Sequence, residues 1–241
     1  VTQFQAQAYK ELLPADGPVR TQIMGDANVA KEEQSKRVKD FMNYQIMDQM
    51  KEYEPEFDQM LFYLPLSGST FKKVYYDDLL GRAVSKFIPA EDLVVPYSAT
   101  SLEDAEAVIH VIRMSPNDLR KQQINGFYRD IDLGDPPVQE DKLKQKELEL
   151  EGVTANGTED VYTVLEMHVD VDLEGHEDVN PEDGEPTGIK LPYIITIDEA
   201  NEKVLSIRRN YAPEDPLKKK KDYFVHFKFL PGLGFYGLGL I

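Results

Sequence analysis

The apolar positions change period along this 241-residue chain, and the change divides it. Near the start, Phe4, Ala8 and Leu12 recur at spacing four, which predicts a helix that Pro14-Ala15-Asp16-Gly17-Pro18 ends. From Ala30 to Tyr53 the stripe Val38, Phe41, Met42, Ile46, Met50 and Tyr53 predicts one long helix. Its water face carries Lys31, Glu32, Glu33, Lys36, Arg37, Lys39 and Asp40. Pro55 suits the first turn of a further helix that turns Phe57, Met60, Leu61 and Leu64 inward and ends at Pro65.

Strand patterns come next. Phe71 to Tyr76, the turn Asp77-Asp78-Leu79-Leu80-Gly81 and Arg82 to Ile88 predict an antiparallel hairpin. Leu93-Val94-Val95 is a short strand, and Ala107 to Met114 is the strongest candidate for a central one. Ser115 as N-cap, Pro116 at the first helical position and Asp118 at the positive end of the dipole predict a short helix closing at Asn125-Gly126. Gln139 to Leu150 has the composition of a solvated helix, Val161 to Val171 alternates as a half-exposed strand, and Glu174 to Gly188 is a polar loop. Leu191 to Asp198 and Lys203 to Tyr211 form a second hairpin, and Tyr223 to Leu230 alternates again before a Gly-rich tail. Helices first and hairpins later predict an α+β fold, with N-terminal helices packed on mostly antiparallel β-hairpins. The chain divides into three regions: a helical and hairpin region 1–130, an acidic insertion 131–190, and a second β region 191–241 ending in a Gly-rich connector.

Charge narrows the function. The formal net charge is −17, and residues 132–185 hold 18 acidic residues against Lys142, Lys144 and Lys146. Such a chain is no generic basic binder of nucleic acid and is repelled by anionic membranes. No apolar run reaches the roughly 18 residues of a membrane span. With no cysteine, disulfides, thiolate metal sites and cysteine nucleophiles are excluded. Val1 at one end and Leu238-Gly239-Leu240-Ile241 at the other predict a piece of a longer chain.

Three motifs carry possible chemistry. Gly232-Leu233-Gly234-Phe235-Tyr236-Gly237 has the G-x-G-x-x-G spacing of a dinucleotide cradle, which also requires a following helix and a parallel strand; the alternative is a Gly-rich linker. His168-x-Asp170-x-Asp172-x-Glu174-Gly175 resembles the opening of a calcium loop. The twelfth position is Pro181, with Glu182 one residue late, and the competing reading is the wet face of an edge strand. Lys218-Lys219-Lys220-Lys221, flanked by Glu214, Asp215 and Asp222, reads as a solvated turn or a contact to an acidic neighbouring subunit. His110 and His226 alternate with apolar neighbours and read as structural; His168 and His176 complete the four. No G-x-S-x-G, H-E-x-x-H or P-loop motif is present, so no catalytic, cofactor or metal residue is assigned.

Three ordered stretches bear a resemblance. Residues 224–239 (FVHFKFLPGLGFYGLG), 62–77 (FYLPLSGSTFKKVYYD) and 88–96 (IPAEDLVVP) resemble segments of the portal proteins of short-tailed bacteriophages. The order of helices, hairpin and I-P-A-E-D strand is similar across most of the chain and weakest over 132–185. The resemblance implies a non-enzymatic, ring-forming subunit, typically dodecameric, at one vertex of the phage head. Its partners would be the terminase motor, capsid and tail proteins, with double-stranded DNA passing through during packaging and ejection. It would need no cofactor and no membrane, and would reside in the virion and, during assembly, in the host cytoplasm. This chain would be the N-terminal, wing-like region, with the channel helices and terminase-facing clip beyond it. The alternatives from the residues alone are a nucleotide-binding enzyme fragment using Gly232–Gly237 and an acidic calcium-binding module centred on Asp170 to Glu182.

Overall fold

The computed structural model describes residues 1–78, 80–136, 161–180 and 183–240. It is an α+β fold with antiparallel sheets and two compact units. The first comprises Val1–Leu93, Ala99–Asp104 and Asp222–Ile241, the second Val94–Ser98 and Ala105–Lys221. The boundary therefore differs from the three consecutive regions 1–130, 131–190 and 191–241. The last 20 residues return to the first unit, because their strand pairs there with a partner some 150 positions earlier.

In the first unit, α1 (Thr2–Leu12) packs on α3 (Tyr53–Ser67) through Phe4, Ala8, Tyr9 and Leu13 against Phe57, Met60 and Leu61. The inward residue is Leu13; Leu12, expected on that stripe, is exposed. Gln5 donates to Asp58 at 2.8 Å and the Tyr9 hydroxyl donates to Glu54, which fixes the pair of helices in register. All four predicted inward residues of α3 are buried. The helix runs two residues past Pro65, because the proline removes only its own N–H bond. Gly68, left-handed at φ +76, then closes the end by donating to Leu64 at 2.9 Å.

The long helix expected over 30–53 is instead α2 (Val29–Tyr44), then a π turn, Gln45–Gln49, and a break at Met50. A π turn adds one residue and rotates the downstream helix face by about 100°. The stripe is thereby split: Tyr53 joins the core with α3, as does Met47, which the predicted stripe does not include, while Val38, Phe41 and Met42 stay exposed.

After α3, β1 (Ser69–Asp77) pairs antiparallel with β2 (Arg82–Pro89) on one side and β8 (Phe224–Lys228) on the other. As the middle strand it is buried on both faces from Ser69 to Lys73. Glu52 takes a two-pronged ion pair from Arg82, at 2.7 and 2.9 Å, and Glu56 accepts from the Phe87 N–H, so the start of α3 is clamped to β2. The Arg82 guanidinium holds the Glu52 carboxyl below its ordinary value.

In the second unit, β4 (Ala107–Met114), β5 (Tyr162–Val171), β6 (Leu191–Asp198) and β7 (Lys203–Arg209) form an antiparallel meander. The two-residue β3 (Leu93–Val94) precedes β4 in the sheet order. The central, most buried strands are β5 and β6, whereas β4, expected to be central, is mostly half-buried. Period two sends Tyr162 and Val164 to one face, under Leu119 of α4 (Pro116–Ile124), Tyr128 and Leu133. It sends Leu191 and Tyr193 to the other, with Tyr211. Ser115 caps α4 by accepting from the Asp118 N–H, as the sequence predicts. The predicted helix 139–150 lies outside the described residues.

Lys72 in β1 is buried, with its ammonium 4.1 Å from the Tyr53 ring centroid and 3.3 Å from the Ser85 hydroxyl. Burial pushes its pKa down to about 8 against the pull of Glu56 and Glu52. Between that value and 10.5 the unfolded chain binds more protons, so this lysine makes stability rise with pH through that window. Urea unfolding is expected to find Lys72→Met more stable at pH 7 by about 1–2 kcal/mol, with the advantage shrinking towards pH 10. A variant less stable than the parent at both pH values contradicts this.

Candidate functional site

Each sequence motif has a definite place. The Gly-rich segment 232–237 comes after the antiparallel strand β8 and folds back, with Leu230 bridging Leu238. Among the described residues no parallel strand flanks it. Its glycines serve backbone approach. A Cβ on Gly237 would lie 2.5 Å from the Gly68 carbonyl oxygen and 2.7 Å from that of Leu230, and one on Gly239 would collide with the Leu66 carbonyl. The Gly237 N–H donates to Ser69 Oγ at 2.7 Å, and Ser69 Oγ lies 3.0 Å from His226 Nε2. Burial lowers the His226 pKa to about 4, with Lys228 adding to the effect, so its ring is neutral at pH 7 and Nε2 can accept the seryl proton. Phe235 is buried and stacks on His226 and Phe71, and the Tyr236 hydroxyl donates to the Leu93 carbonyl at 3.0 Å. The Gly237 and Leu238 N–H groups and the Phe235 and Tyr236 side chains are engaged inside the unit, where a cradle would aim its N–H groups at a phosphate. His226 is structural, as the sequence suggests.

The Asp-rich run sits at the end of β5, which lies between β4 and β6; the edge-strand reading is corrected by that pairing. Asp178 is taken by Lys218 and by the Thr187 hydroxyl at 2.8 Å, and its carboxyl is held below the ordinary range, chiefly by Lys218. Among the described residues no three His, Asp or Glu side chains are placed to hold a metal ion. Glu182 lies outside the described residues. Of the lysine run, Lys218 makes that ion pair at a left-handed φ of 46°, the Lys219 N–H donates to Asp215 at 3.1 Å, and the Lys221 N–H donates to the Asn210 carbonyl at 2.9 Å. The run is thus a tied turn whose first charge is neutralised by the acidic region.

One constellation leaves no trace in the linear sequence. His110 on β4, Glu166 on β5, Thr196 on β6 and Ser206 on β7 stand in a single transverse row, each opposite the next. Glu166, Thr196 and Ser206 are buried. Glu166 is 2.8 Å from His168 Nε2, two positions along the same face. Tyr128 is buried nearby, its hydroxyl pKa pushed well up by burial and by the Glu166 carboxylate, against the pull of Arg208. The row could hold or relay a proton, since it combines imidazole, carboxylate and hydroxyls. The Thr196 and Ser206 hydroxyls have no hydrogen-bond partner among the described residues. Tens of positions separate these residues in the chain; only the strand registers bring them together.

A cavity of about 300 Å³ in the second unit lies elsewhere, between α4 and residues 130–134, with Arg120, Gln123, Asp130 and Tyr162 among its walls. Arg120 is already bonded to Asp130 and to Gln123 at 3.0 Å, and Tyr162 donates to the Gly134 carbonyl. No protein-family model matches the chain, and no curated protein matches it.

Three substitutions separate packing from ligand chemistry. Gly237→Ala is expected to lose about 3 kcal/mol in chemical unfolding, while Gly234→Ala, whose Cβ meets nothing within 4 Å, stays within about 0.5 kcal/mol; equal losses at both positions contradict the packing role. Thr196→Val removes an unpartnered buried hydroxyl at constant shape and is expected to raise stability by about 1 kcal/mol. A loss of that size in the same measurement means that the hydroxyl is bonded in solution.

Proposed function

We propose that this chain is the wing region of a phage portal subunit, an architectural part of the ring through which DNA enters and leaves the head. The observation that carries the reading is where the three family-like stretches fall. Residues 62–77, 88–93 of the 88–96 stretch, and 224–239 are separated by up to about 150 positions, yet all contribute to the first unit: the end of α3, β1, the end of β2, β8 and the tail; only 94–96 fall in the second. They meet through Phe71, His226 and Phe235, through Tyr236 on Leu93, and through Gly68 against Gly237. The described residues of the acidic block, where the resemblance is weakest, belong to the second unit.

On this reading the protein is not an enzyme, and ATP hydrolysis belongs to the terminase motor. Its partners are further copies of itself in a dodecameric ring, the motor, capsid and tail proteins, and transiently double-stranded DNA; it resides in the virion and, before that, in the host cytoplasm. The charge of −17 suits a conduit, because a wall that gripped phosphate would stall a sliding polyanion, whereas like charge keeps it mobile.

The test is the assembly state of the polypeptide that carries this sequence, purified from its native source. Electron microscopy and native mass spectrometry are expected to show closed rings with a central channel wide enough for a DNA duplex. A protein that stays monomeric at every concentration and ionic strength overturns the reading.

A further inference from the structure

Helix α2 is turned inside out. The row Ser35, Lys39 and Asn43, which flanks the stripe at Met42, is tied to its own unit: Ser35 donates to Thr21 Oγ1 at 2.8 Å, Asn43 Oδ1 accepts from the Val19 N–H at 2.9 Å, and Asn43 Nδ2 donates back to the Val19 carbonyl at 3.2 Å. None of its residues is buried. The apolar stripe Val38, Phe41 and Met42 is left 43%, 58% and 42% exposed. Spacings of three and four place these residues on one face, with Lys31 on the same line and Arg37 on its border, while half-buried Lys39 stands between Ser35 and Asn43 on the tied side. Glu33 and Asp40 fall on the opposite side.

A surface of opposite character is present in the second unit. Val179 and Ile189 are 51% and 57% exposed, and around them in the chain Asp170, Asp172, Glu174, Asp183 and Glu185 are exposed. The segment is held in shape by the Val179–Pro186 bridge and by Thr187, which donates its N–H to the Asp178 carbonyl and its hydroxyl to the Asp178 carboxylate, each at 2.8 Å. One surface is apolar with a basic border, the other apolar with an acidic border, and every copy of the chain exposes both.

We propose that the α2 stripe of one copy docks on the surface that Val179 and Ile189 form with Asp170, Asp172, Glu174, Asp183 and Glu185 on the next copy. The apolar residues supply the buried centre and the charges supply orientation at the rim. Because the two surfaces differ, the contact is heterologous, and repeated it closes a ring or extends a filament. The inference rests on the reading of the protein as a ring subunit and names the faces that meet.

Sedimentation velocity on the intact chain tests it. Wild type associates with rising concentration, and raising the salt weakens the association. Phe41→Asp with Met42→Asp weakens it at least about ten-fold, with the thermal midpoint unchanged because both side chains lie on the surface. Lys31→Glu with Arg37→Glu, and separately Asp172→Lys with Glu174→Lys and Glu185→Lys, each weaken it, and mixing the two charge-reversed proteins restores it. The inference is overturned if wild type remains monomeric, if the Phe41/Met42 variant associates like wild type, or if the acidic-side variant leaves association intact. Rings that persist in the Phe41/Met42 variant remove these faces but leave the portal reading standing. Open chains that dissolve in both variant sets keep the faces and remove the closed ring.

Discussion

A methyl group at position 237 would lie 2.5 Å from the Gly68 carbonyl oxygen, and no rotamer can relieve a clash between two backbones. That constraint governs the first unit. The turn between α3 and β1 and the tail after β8 approach so closely that only glycine fits at both sides. The approach then allows a chain of bonds that no wider spacing would permit: the Leu240 N–H to the Pro65 carbonyl, the Phe229 N–H to the Gly68 carbonyl, and the Gly237 N–H to Ser69 Oγ. Phe71 is fully buried under Phe235 and His226 because the tail is held there. A Gly-rich run that resembles a nucleotide cradle is, in this chain, the fastening of a sheet.

The second unit obeys a different rule. Its sheet has apolar clusters on both faces, and a row of polar side chains runs across its middle. Unpartnered hydroxyls inside a sheet reduce stability but specify register, since a one-residue slip of β6 would move Thr196 and Asp198 to the other face. Asp198 is fully buried and is held by Asn201, whose amide also reaches the Leu133 carbonyl at 2.9 Å, so the β6–β7 turn is pinned to the first residues of the acidic block.

Much of the local architecture is legible in the residues. The hairpin of β1 and β2, the bounds of β4, the capped start of α4 and the second hairpin all come from period and turn chemistry. Three features are not legible there. The π turn at Gln45–Gln49 leaves no mark in an apolar stripe that continues at helical spacing, so the stripe predicts one unbroken helix where the chain breaks it. The outward turn of Val38, Phe41 and Met42 depends on Ser35 and Asn43 bonding to Thr21 and Val19, pairs that no periodicity reveals. The return of residues 222–240 to the first unit depends on β8 pairing with β1 across a long separation, which composition cannot anticipate. Of the candidate sites, the glycine and lysine runs are visible but ambiguous, and the register of four strands is needed to find the row from His110 to Ser206.

The fastening of the tail is open to direct measurement by native-state hydrogen exchange on the intact chain. The amides of Phe71 and Lys72 in β1 and those of Gly237, Leu238 and Leu240 in the tail should open together, with one free energy and one dependence on denaturant, because they belong to a single cooperative unit. Tail amides that exchange orders of magnitude faster than those of β1 would mean that the sheet stands without its fastening, and would contradict the account.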